Sequence, residues 1–82
     1  MRGAIRRAQL TRSGASASRL AGTAARSRDY RERAVAYRAI GQFRFRQKLE
    51  LLRRGLEDES PACRGSALLS LEKLSRERPG DV

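Results

Sequence analysis

The chain has 82 residues and carries 19 Lys and Arg against 9 Asp and Glu, a formal net charge of +10. It has no His and no Trp, and its one Cys is Cys63. That inventory excludes a Cys/His zinc site, an internal disulfide and any His-based catalytic triad. No apolar run approaches the roughly 18 residues of a membrane span. A chain this short hides only about 60% of its unfolded surface, so a fold built from it alone has little margin.

The charge is unevenly placed. Residues 1–28 hold seven Arg (Arg2, Arg6, Arg7, Arg12, Arg19, Arg26 and Arg28) and no acid. Residues 29–56 carry a net +5 and residues 57–82 a net −2. The first stretch is rich in Ala, Ser, Gly and Thr, with Ile5, Leu10 and Leu20 its only large apolar residues after Met1, a composition shared by mitochondrial transit peptides and by basic tails that bind polyanions. It lacks the apolar core of a secretory signal. The expectation is a basic, flexible leader over 1–28 and a mitochondrial location, or a cytoplasmic one if the stretch is only a tail. Leu20 and its Ala neighbours outline a weak helix over about 18–26.

After Asp29 the pattern becomes helical. The first helix is expected over about 29–43. Asp29 followed by Glu32 resembles a capping box, and Gly41 is placed to help stop the helix. Ala36, Ala39, Ile40 and Phe43 share one face. The second is expected over about 45–56, with Phe45, Leu49, Leu52 and Leu56 as its apolar stripe. Glu50 and Arg54 have the spacing of an i, i+4 ion pair. The third is expected over about 61–76. Ser60 suits the N-cap and Pro61 the first helical position. Glu57, Asp58 and Glu59 lie where the helix dipole favours acids. Cys63, Ala67, Ser70, Leu71 and Leu74 form its buried face. Residues 77–82 read as a disordered tail.

A shift of 31 residues lays Arg33 on Arg64, Ala36 on Ala67, Ala39 on Ser70, Ile40 on Leu71 and Phe43 on Leu74. The same shift lays Leu20 on Leu51, Ala21 on Leu52 and Ala25 on Leu56. A fixed period in this range signals a solenoid of stacked units. The stretch from Leu56 to Arg64, with Ala67, Ser70, Leu71 and Leu74, resembles the turn and second helix of a short, lyase-type HEAT repeat. Cys63 stands where that family usually has Val. The earlier copy has Glu32 at that position and no Pro. The resemblance covers about 17–75 and is best over 45–75. It implies that Arg33 and Arg64 sit early in the second helix of each unit, where such an Arg bonds the acidic turn. Asp58 is the local candidate partner for Arg64.

The resulting fold class is all-α: one or two HEAT-like antiparallel helical hairpins over 29–76, an α-solenoid fragment. Two units fall short of the roughly three that a solenoid needs for independent stability. The implied function is non-enzymatic, a scaffold element docked as an accessory subunit in a larger protein assembly. Ile40, Phe43, Leu49, Leu52, Leu56, Leu71 and Leu74 are the candidate packing and docking residues. The alternative is RNA contact within a ribonucleoprotein. There the leader and Arg38, Arg44, Arg46, Lys48, Arg53 and Arg54 would hold phosphates. No residue pattern points to a catalytic site, a cofactor, a metal or a small-molecule substrate. Cys63 lies on the apolar stripe and reads as a buried structural thiol.

Overall fold

The computed structural model describes residues 14–81, all helix, turn and bend. Helix α1 spans Gly14–Ala24, α2 Tyr30–Gln42, α3 Leu49–Gly55 and α4 Pro61–Glu77. Short 3-10 turns cover Arg46–Lys48 and Pro79–Asp81. Helices α1 and α2 form one hairpin, and α3 and α4 form the next. The strongest contact is between the two second helices, α2 and α4.

The 31-residue period is visible in the backbone. Asp29 caps α2 and Ser60 caps α4, both in extended conformation, at equivalent positions. The Asp29 carboxylate accepts from the Arg31 N–H at 2.9 Å. The Ser60 hydroxyl accepts from the Cys63 N–H at 3.4 Å. Each cap satisfies a backbone donor that has no partner within its helix. The reciprocal half of the expected capping box is absent. The Asp29 N–H is taken by the Ser27 hydroxyl at 3.1 Å, so Glu32 has no role there.

Several boundaries differ from expectation. Helix α1 begins at Gly14, and Ala17, Ser18, Ala21 and Ala25 are buried. The helical region therefore starts well before residue 29, and about half of the expected leader belongs to it. The first thirteen residues of that leader lie outside the described residues. At the other end, Glu77 closes α4 and the expected tail continues as a 3-10 turn.

Gly41 does not stop α2. It is buried inside the helix, and the stop lies beyond it. The Phe45 N–H reaches back to the Ile40 carbonyl at 2.9 Å, and the Arg44 N–H to the Gly41 carbonyl at 3.3 Å. This is a Schellman end, with Arg44 at φ 56° in the position glycine usually takes. The role of Gly41 is proximity. A Cβ there would lie 2.5 Å from the Ser70 Oγ and 2.8 Å from the Ser70 Cα on α4. Gly55 does the same for α3, where a Cβ would lie 2.7 Å from the Ala67 Cβ.

The second helix is shorter than its apolar spacing implied. The chain leaves the Schellman end through a 3-10 turn and becomes α-helical at Leu49. A 3-10 turn advances about three residues per turn, so it rotates the following face out of phase with Phe45. Of the expected stripe, Phe45 and Leu52 are buried, Leu49 is half-buried and Leu56 is exposed, while Leu51 and Gly55 are buried in addition. Glu50 pairs with Arg53 at 3.1 Å rather than with Arg54.

The core joins both hairpins: Ala17, Ala21 and Ala25 from α1 and the turn after it, Ala36, Tyr37 and Ile40 from α2, Phe45 from the link between the hairpins, Leu51 and Leu52 from α3, and Cys63, Ala67, Leu71 and Leu74 from α4. Overpacking at the tight crossing costs about 1–3 kcal/mol. Gly41→Ala is therefore expected to destabilise the chain by about that amount in urea titrations. Gly65 lies in α4 with open space around it. Gly65→Ala is expected to stabilise by about 0.5–1 kcal/mol through helix propensity.

Candidate protein-docking surface

The most organised polar group lies where the two hairpins meet. Arg33, early in α2, reaches Asp58 in the turn between α3 and α4. Its Nε donates to Oδ2 at 2.9 Å and its Nη2 to Oδ1 at 3.1 Å, a bidentate pair. Its Nη1 donates backward to the carbonyls of Ser27 and Arg28 at 2.9 and 3.0 Å. One guanidinium thus ties its own turn to the turn of the next unit. Asp58 also accepts the Ser60 N–H at 2.9 Å, which orders the start of α4. The Arg33 hydrogen bonds hold the Asp58 carboxyl below the ordinary carboxylate range, against the opposing effect of burial. Tyr37 packs on α3 through Gly55. Burial, and then the charge of Asp58, push its hydroxyl above the usual tyrosine range.

This corrects the expected pairing. Asp58 gives its carboxylate to Arg33, whereas Arg64 bonds the Asp58 backbone carbonyl, at 2.7 Å. The one acid in the turn before Arg33 is Asp29, which caps α2, so spacing within one unit could not reveal the partner. The 31-residue shift could have pointed to it, because it makes Arg33 and Arg64 equivalent.

The candidate packing residues divide into two groups. Ile40, Leu52 and Leu74 are wholly buried and Leu71 nearly so, all within the chain's own core. Leu49 is partly buried against that core. Phe43 is 38% exposed and Leu56 40% exposed. Phe43 stacks on buried Phe45 with ring centroids 5.7 Å apart. Surface apolar residues that the sequence reading left out are Leu68, Leu69 and Val35. No period of the core contains them, which is why pattern alone passed over them.

The candidate phosphate residues are dispersed in role. Arg44 holds Glu77 at 2.8 Å, and Arg46 approaches the same carboxylate oxygen at 3.6 Å. Arg53 holds Glu50. Lys48 lies against α1, its Nζ 3.1 Å from where a Gly22 Cβ would be. Arg38 and Arg54 are exposed. Half of the six thus already face carboxylates. Cys63 is fully buried, and its thiol donates to the Tyr30 carbonyl at 3.1 Å. Among the described residues no group of three or more His, Cys, Asp or Glu is placed to hold a metal ion. No described helix is long and apolar enough to cross a membrane.

Paired antiparallel helices, stacked through equivalent second helices at a fixed period, define an α-solenoid fragment. The family model described as HEAT repeats matches residues 18–82, and the chain belongs to the HEAT-repeat family. Neither the curated proteins nor the solved structures contain a match. HEAT repeats are in general protein-interaction scaffold elements.

The pH dependence of the Arg33–Asp58 pair has a definite sign. A lowered folded-state pKa contributes stability above the ordinary carboxylate pKa of about 3.9. That contribution is lost as pH falls through the folded value. Asp58→Asn is therefore expected to lower the thermal midpoint at pH 7. The gap from the parent chain is expected to close progressively in melts below about pH 4.

Proposed function

We propose that the chain is a non-enzymatic accessory subunit that docks into a larger protein assembly through its HEAT hairpins. The observation that carries this reading is the apolar surface left at the outer side of the second hairpin. Leu56, Leu68 and Leu69 are exposed there beside a two-unit core. Two units provide little core for their length, and roughly three are the usual minimum for a stable stack. A solenoid unit buries its apolar face only against a neighbour, and this reading takes that neighbour from the assembly.

A second reading is contact with RNA, favoured by the net charge of +10. Arg38, Arg54 and the arginines of the first 28 residues would supply the phosphate contacts. A mitochondrial location remains part of the proposal on the composition of those residues. Because α1 starts at Gly14, a leader cut compatible with this fold falls before that position.

Salt separates the readings. A protein making six to ten phosphate contacts loses about 10³–10⁵ in affinity between about 50 and 200 mM salt, whereas apolar docking is far less sensitive. Size-exclusion chromatography of cell extract is expected to place the chain far above its own 9.2 kDa. That position should survive both nuclease and the rise in salt. Release of the chain by either treatment would favour the RNA reading.

A further inference from the structure

Within the folded chain, one face of α2 and the turn before it receive the second hairpin. The 31-residue equivalence identifies the corresponding face on α4, and there it is uncovered. Arg33 Nη1 donates to the Ser27 carbonyl at 2.9 Å, and Arg64 Nη1 donates to the equivalent Asp58 carbonyl at 2.7 Å. Both guanidinium groups are thus anchored to their own turn in the same way. Arg33 then spends Nε and Nη2 on the carboxylate of the next unit. Arg64 is exposed and meets no carboxylate among the described residues. The apolar positions follow the same rule. Ala25 is 5% exposed and its equivalent Leu56 is 40% exposed. Tyr37 is 5% exposed and its equivalent Leu68 is 49% exposed. A shallow depression lined by Leu71, Glu72, Ser75 and Arg76 continues along the same helix.

We infer that Arg64, Leu56 and Leu68 form a docking face for a helical hairpin of a partner protein that carries an acidic residue in its interhelical turn. This rests on the docking reading above and names the face and the chemistry of the partner. The carboxylate of that turn takes the two free edges of Arg64, as Asp58 takes those of Arg33. The partner's apolar residues cover Leu56 and Leu68.

Charge argues against the chain itself as the occupant. A second copy stacked head to tail would present its first turn to Arg64. That turn has Ser27 at the position of Asp58 and Arg28 at the position of Glu59, and its one acid, Asp29, stands at the position of Ser60 with its carboxylate engaged by the Arg31 N–H. The copy thus brings a positive charge where a negative one is required. Residues 1–13 hold Arg2, Arg6, Arg7 and Arg12 and no acid, so they cannot supply it either. One position sets the approach angle. Glu72 stands at the equivalent of Gly41, whose missing side chain lets Ser70 come close. A partner therefore seats closely at the Arg64 end and stands off at the Glu72 end.

The test uses the full chain followed by a flexible Gly/Ser linker and a second copy of residues 44–82 as a tethered, acid-turned hairpin. Tethering makes docking an intramolecular event at high effective concentration. A parallel tandem carries Glu72→Gly in the first copy, and each tandem is compared with the single chain bearing the same residue there. The expected result is a rise in thermal midpoint of roughly 5 °C or more, a readable shift for a domain of this size. The rise should be larger with Glu72→Gly. It should vanish with Arg64→Ala in the first copy, or with Asp58→Lys in the appended hairpin alone. No rise in either tandem, or a rise indifferent to Arg64→Ala, overturns the inference. Wild-type oligomers that grow with concentration and are abolished by Leu68→Asp overturn the choice of occupant. A tandem without gain, from a chain that still travels in a large salt-stable assembly, sinks the face and spares the docking reading. A tandem with gain, from a chain that migrates alone, supports the face and sinks that reading.

Discussion

The close crossing of α2 and α4 governs the rest of the molecule. It depends on having nothing at Gly41 beyond backbone, opposite a Ser70 whose hydroxyl donates to the Tyr37 carbonyl. Two helices that meet this tightly gain dispersion contacts along their length and leave little room for sliding. The crossing also sets the distance between the two interhelical turns. Only at that distance can Arg33 reach Asp58 with both edges of its guanidinium. Packing comes first and the ion pair follows from it. Replacing packing by charge would be a poor exchange, since exposed ion pairs contribute little by themselves. This pair is shielded from solvent, bidentate and tied to two backbone carbonyls as well, so it also fixes register.

Parts of this were legible in the sequence because they follow local rules. Asp29 and Ser60 are caps by residue type, Pro61 is a first-turn residue, and α4 runs within one residue of its expected span. The 31-residue period foretold two hairpins of the same kind. The missed features all depend on contacts between residues far apart in the chain. Gly41 near the end of a helix has the look of a stop signal, and only the presence of Ser70 shows why it is glycine. The true stop uses Arg44 in a left-handed conformation, which no residue-type rule selects. Helix α1 has mostly Ala on its inner face, so its own apolar content is small. Its helicity comes from tertiary packing, which composition does not reveal.

The charge distribution also acquires a structural meaning. The basic residues following α2 are partly consumed at the far end of α4, where Arg44 and Arg46 converge on Glu77. The Arg44 pairing keeps the Glu77 carboxyl below its usual range. The acidic cluster at the start of α4 is consumed through Asp58. Acid and base therefore meet at both ends of the α2–α4 pair, and the two ion pairs bracket the apolar crossing between them. Much of the remaining positive charge is carried by the seven arginines of the first 28 residues. A chain with strong positive charge thus contains an interior interface that is nearly balanced. The excess charge bears on solubility and on encounter with partners rather than on the fold.

Cys63 gives this arrangement an unplanned use. Its thiol is completely covered and bonded to the Tyr30 carbonyl, at the seam between the two hairpins. A thiol reagent can reach it only when α4 lifts from α2, so the rate of alkylation counts separations of the two units. That rate is a clock for local opening and can run faster than whole-chain unfolding. A single natural cysteine thereby distinguishes a molecule whose hairpins part independently from one that opens all at once.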